Sequence, residues 1–109
     1  MKKFKWKLDL TDIKGTENVS SKDVFINYLN GALSTCYKDG LQRDSMRRLF
    51  KITDKLDHVE GDYLELEDAE FELIETAFER GKFTPQGVKI ANQIYNAIEE
   101  AKTEGKKDG

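Results

Sequence analysis

Lys3-Phe4-Lys5-Trp6-Lys7-Leu8-Asp9-Leu10 alternates a charged residue with an apolar one at every step. Period two is the mark of a strand with one buried and one solvated face, so Phe4, Trp6, Leu8 and Leu10 should face a core and the lysines water. A second stretch, Tyr63-Leu64-Glu65-Leu66-Glu67, repeats the pattern with acids in place of lysines. An isolated strand leaves its backbone polar groups without partners, so the two stretches predict one antiparallel ribbon over about residues 4–10 and 63–66. Lys5 or Lys7 should then lie near Glu65 or Glu67, each such cross-strand pair contributing about 0.2–1 kcal/mol.

Working outward from the ribbon, the rest of the chain reads as helix. Residues 11–18 have no apolar period and predict a loop. Ser20 is placed to cap a helix, with Asp23 in its first turn and Val19 and Val24 at staple spacing. Val24, Phe25, Tyr28, Leu29, Ala32 and Leu33 form the apolar face of that helix, and Lys38-Asp39-Gly40 ends it. Gly31, inside the helix, costs about 1 kcal/mol relative to alanine and points to a close packing contact.

A second helix is predicted over about residues 42–59, with Met46, Leu49, Phe50, Ile52, Leu56 and Val59 as its apolar stripe and Gly61 at its exit. Glu67, Asp68 and Glu70 open a third helix at its dipole-positive end, with Phe71, Ile74, Ala77 and Phe78 inward. Thr84-Pro85 starts a fourth, striped by Val88, Ala91, Ile94, Tyr95 and Ile98. The predicted fold is α+β and mostly helical, a two-stranded antiparallel ribbon packed on about four helices in the order β-α-α-β-α-α. A chain of 109 residues suits one domain. Residues 1–102 are expected to form it, with 103–109 as a flexible C-terminal tail.

The net charge of −3 hides a strong segregation. Residues 1–52 carry eleven Lys/Arg against six Asp/Glu, residues 53–80 two against eleven, and residues 81–109 five against four. A pI near 5.2 weighs against a domain devoted to neutralising phosphates. The single cysteine, Cys36, excludes an intramolecular disulfide and suits a reducing compartment, and no apolar run reaches the length of a membrane span. A soluble, cytoplasmic, small acidic domain is expected.

Chemistry-bearing patterns are sparse. Asp57, His58, Glu60 and Asp62 cluster about Gly61, but zinc needs several His or Cys ligands. An EF-hand register that places Gly61 sixth puts Leu56 at the first ligand position, so the cluster reads as a solvated turn with no metal. One His and one Cys give no nucleophile and base pair, and no glycine-rich phosphate loop is present, so no catalytic residue, cofactor or small-molecule substrate is expected. The Lys/aromatic alternation of residues 2–8 could serve nucleic acid, yet period two puts the lysines and the aromatics on opposite faces. Arg43, Arg47 and Lys51, with Arg48 beside them and Lys55 beyond, lie at i, i+4 spacing and form either a candidate nucleic-acid row or a solvated face, with Asp44 and Asp54 diluting the stripe.

Leu8-Asp9-Leu10-Thr11, the helix with Asp23-Val24-Phe25-Ile26-Asn27-Tyr28-Leu29, Leu64-Glu65-Leu66-Glu67-Asp68 and Phe83-Thr84-Pro85 together resemble a pattern in small proteins of tailed bacteriophages and prophages. The similarity covers most of residues 3–100 and departs from the pattern in its longer loop at 11–19 and its Lys-rich N-terminus. It implies a phage origin, hence a bacterial host cytoplasm, and carries over no functional residues. The function expected is that of a non-enzymatic accessory protein acting by protein–protein interaction, in virion assembly or host takeover. Its partner is another protein or a second copy of itself, met at Glu65, Glu67, Asp68, Glu72, Glu75 and Glu79. The alternative is a nucleic-acid-binding regulator using Arg43, Arg47, Arg48 and Lys51.

Overall fold

The computed structural model describes residues 2–11, 13, 15, 16 and 18–107. Asp12, Lys14 and Glu17 of the expected loop, together with Met1, Asp108 and Gly109, lie outside the described residues. The elements follow the order β1 (Lys2–Lys5), α1 (Ser21–Cys36), α2 (Arg43–His58), β2 (Tyr63–Leu66), α3 (Asp68–Arg80), a single 3-10 turn (Pro85–Gly87) and α4 (Val88–Lys107). This is the α+β arrangement that the two periodicities imply, a two-stranded antiparallel ribbon with four helices. Helical backbone extends over residues 103–107 of the expected tail.

The ribbon is shorter than its alternation and its register differs from the expected one. Lys3 stands opposite Glu65, Phe4 opposite Leu64 and Lys5 opposite Tyr63. Lys7 forms its ion pair with Asp62 at 3.6 Å, and Glu67 has left the strand to become the N-cap of α3. The complementarity is real but shifted by two residues, because α3 begins directly after Leu66 and the turn before Tyr63 sets where pairing starts. Alternation nevertheless continues past the ladder: Trp6 and Leu8 are buried although they belong to no strand. Their neighbours supply other partners. The Trp6 backbone N–H donates to the Asp62 carbonyl at 3.1 Å, and the Leu8 N–H to the Ser21 hydroxyl at 2.7 Å.

Phe4, Leu64 and Leu66 face inward from the ribbon, with the Phe4 ring 5.6 Å from that of Phe25 in α1. α4 packs on β1, and α3 packs on α1 and α2. Ser20 caps α1 as expected, accepting from the Asp23 N–H at 3.1 Å. The close approach expected at Gly31 is not there: a Cβ at Gly31 would meet nothing within 4 Å. It occurs at the next residue instead, where a Cβ on Gly81 would lie 3.0 Å from the Cα of Ala32 and 2.5 Å from the Ala77 carbonyl oxygen. Gly81 thus lets the end of α3 close on α1. Past it, Phe83 stacks on Phe78 and Tyr28 with ring centroids 5.4 and 6.2 Å apart, and Tyr95 meets Phe78 and Phe83 edge on.

Two of the expected apolar stripes are narrower in the fold. Val88 is exposed at the edge of the α4 face, whose centre is Ile90, Ile94, Ala97 and Ala101. In α2 only Ile52 and Leu56 are buried, with Leu49 and Val59 half-buried against the same core. Met46 and Phe50 are 57% and 72% exposed.

Candidate functional site

The α2 helix shows why its two faces separate as they do. Each residue turns the helix about 100°, so Phe50 lies about 160° around the axis from Ile52, nearly opposite the buried edge. Arg43, Met46, Arg47, Phe50, Lys51 and Asp54, spaced at i, i+3, i+4, i+7, i+8 and i+11, share that outward face, and all six are exposed. Arg48 is half-buried at the flank. Among the described residues none of Arg43, Arg47, Arg48 and Lys51 is ion-paired.

Lys55, the fourth member of the i, i+4 series, leaves this face. Such a series drifts about 40° per step, so three steps carry it about 120° round to the core side. There the Lys55 ammonium donates to Glu70 Oε1 at 2.6 Å and to the Glu65 carbonyl at 3.0 Å. Glu70 is 1% exposed, and its Oε1 also accepts the Glu67 backbone N–H at 3.0 Å. The pair ties α2 to the junction of β2 and α3.

The six candidate acids do not form one site. Glu65 points outward from β2 opposite Lys3, and Glu67 is the N-cap of α3. Asp68, Glu72, Glu75 and Glu79, at i, i+4, i+7 and i+11, do share the outward face of α3. Within that row Glu75 is bound to Lys102 of α4 at 2.6 Å, which holds the Lys102 ammonium above the usual lysine range through that hydrogen bond. Asp68, Glu72 and Glu79 are exposed. Beside the row runs an open groove of about 520 Å³ lined by Lys2, Asp68, Phe71, Glu72, Glu75, Thr76 and Lys102, with the Lys2 ammonium 5.4 Å from the centre of the Phe71 ring.

Met46 and Phe50 are surface residues, contrary to the single apolar stripe expected of α2. A helical projection centred on Ile52 and Leu56 separates them. His58 is exposed at the end of α2, its Nδ1 3.6 Å from Asp54 Oδ1. Asp62 is engaged with Lys7, and among the described residues no three His, Cys, Asp or Glu side chains come together as metal ligands. Cys36 is half-buried at the end of α1, its Sγ 4.0 Å from the Thr76 carbonyl oxygen. No helix among the described residues is long and apolar enough to cross a membrane. No family model, no curated protein and no solved structure matches the chain.

Proposed function

We propose that this protein is non-enzymatic and works by binding another protein through the outward face of α2. One observation carries the reading: Phe50, 72% exposed, stands nearly opposite the buried edge of its helix with Met46 one turn away. An aromatic side chain held in water on a regular helix contributes nothing to the core behind it. Aromatics, methionine and arginine are the residues enriched where protein surfaces meet, and Arg43 and Arg47 flank these two. The bacteriophage setting belongs to the proposal through the apolar pattern of the sequence alone, and phage structural or regulatory genes beside this one would support it.

The basic row supports a second reading. Arg43, Arg47 and Lys51 recur about every 6 Å along the helix, and Phe50 beside them could stack on an unpaired base. Met46 offers nothing to a phosphate backbone, and the net charge of −3 opposes one.

Capture with immobilised protein, with and without nuclease, separates the two. Protein binding predicts a partner retained after nuclease treatment and lost with Phe50→Ser, while the melting temperature stays unchanged. Nucleic acid retained at moderate salt, and released by Arg43→Ala and Arg47→Ala, would replace the first reading with the second.

A further inference from the structure

We infer that the partner of the α2 face is the acidic face of α3 on a second copy of this chain. The inference rests on the protein-binding reading and adds the occupant. The α2 face needs a surface that answers three cations and an exposed aromatic ring. The chain carries such a surface itself. Among the described residues, once Lys55–Glu70, Lys102–Glu75 and Lys7–Asp62 have paired, the outward face of α2 keeps Arg43, Arg47 and Lys51 with the acid Asp54 beside them, and the outward face of α3 keeps Asp68, Glu72 and Glu79.

The lengths agree as well as the signs. Arg43 to Lys51 spans about 12 Å of helix and Asp68 to Glu79 about 16 Å, so the acidic row covers the basic one. The groove beside that row, lined also by Lys2 and Lys102, gives the Phe50 ring a recess next to the acids. Pairing α2 with α2, or α3 with α3, would set like charges against each other. The complementary contact is therefore between α2 of one copy and α3 of the other.

The test is the mass of the full chain by sedimentation equilibrium from micromolar to near-millimolar concentration, at low and high salt. A species of twice the monomer mass is expected at the upper concentrations, weakening as salt screens the ion pairs. Phe50→Ser, Arg47→Glu and Glu72→Arg should each weaken self-association by about tenfold or more while leaving the circular dichroism melt unchanged. An equimolar mixture of Arg47→Glu and Glu72→Arg should associate again. In each mixed contact position 47 meets position 72 as Glu with Arg or as Arg with Glu. Monomer mass throughout, association untouched by the charge reversals, or a mixture no stronger than its components would each overturn the inference. If the chain stays monomeric while Phe50→Ser still releases a captured protein, the second copy is ruled out and the protein-binding reading stands. If neither changes, both fall.

Discussion

Trp6 donates both of its N–H groups to one turn, the backbone N–H to the Asp62 carbonyl at 3.1 Å and the indole Nε1 to the Gly61 carbonyl at 3.0 Å. With 7% of its surface exposed, the ring also covers the core where the ribbon ladder ends, and the Lys22 ammonium lies 5.7 Å from it. Trp6→Ala should cost about 3–5 kcal/mol in denaturant unfolding, and Trp6→Phe only the part due to the lost hydrogen bond and smaller ring. A loss of binding with stability intact would instead make Trp6 a contact residue. Lys55 and Glu70 behave differently because the carboxylate is buried and the ammonium about a third exposed. Lys55→Met should cost about 3 kcal/mol by leaving the Glu70 charge without its cation, and the double change Lys55→Met, Glu70→Leu should recover most of that loss. Full additivity of the two single changes would show that they do not act as a pair. Asp9 illustrates a local effect. Its Oδ1 accepts from the Thr11 hydroxyl at 2.6 Å and the Thr11 N–H at 3.0 Å, and these bonds hold its carboxyl below the ordinary value of 3.8. Thr11→Val removes the stronger influence, so the Asp9 titration followed by carboxyl NMR should move back toward the ordinary value.

At the scale of the element, α1 and α2 each carry a residue that their own helix does not explain. Gly31 is exposed in mid-helix with open space where a Cβ would go. Gly31→Ala should therefore stabilise the fold by about 1 kcal/mol in thermal or denaturant unfolding. A loss instead would mean that α1 needs the glycine's backbone freedom. Phe50→Ser belongs with it. Removing a ring that is 72% exposed should change stability by less than about 0.5 kcal/mol, although the same change at a buried phenylalanine would be severe. Alternation identified both strand faces correctly, since Phe4, Leu64 and Leu66 are buried and Lys3, Lys5 and Glu65 exposed. It could not fix the register, because every two-residue slip preserves the same faces and only the turn at 61–62 and the start of α3 choose among them.

For the whole molecule, a radius of gyration of 13.5 Å is close to the value of about 13 Å expected of one domain of this length, so the charge segregation lies on a single body. Two groups contribute to its pH dependence in known directions. Asp9 is lowered in the folded state, so its contribution is present above the unfolded value and lost as pH falls through the folded one. Lys102 is raised by Glu75, so its contribution is present below the unfolded lysine value and lost as pH rises through the folded one. Both are in force at neutral pH, and unfolding midpoints should stay level there and fall toward either extreme; Lys102→Met should blunt the alkaline fall alone. The sequence by itself determined the element order, the strand faces, the Ser20 cap and most of the core, because periodicity, capping and turn chemistry act over a few neighbouring residues. The tertiary structure alone decided the register, moved the tight helix contact from Gly31 to Gly81 and Ala32, drew Lys55 and Glu75 into pairs, and left Phe50 in water. Those outcomes depend on which elements lie against which, and a helix packed on one side can bury only about half of its circumference, whatever residues the other half carries.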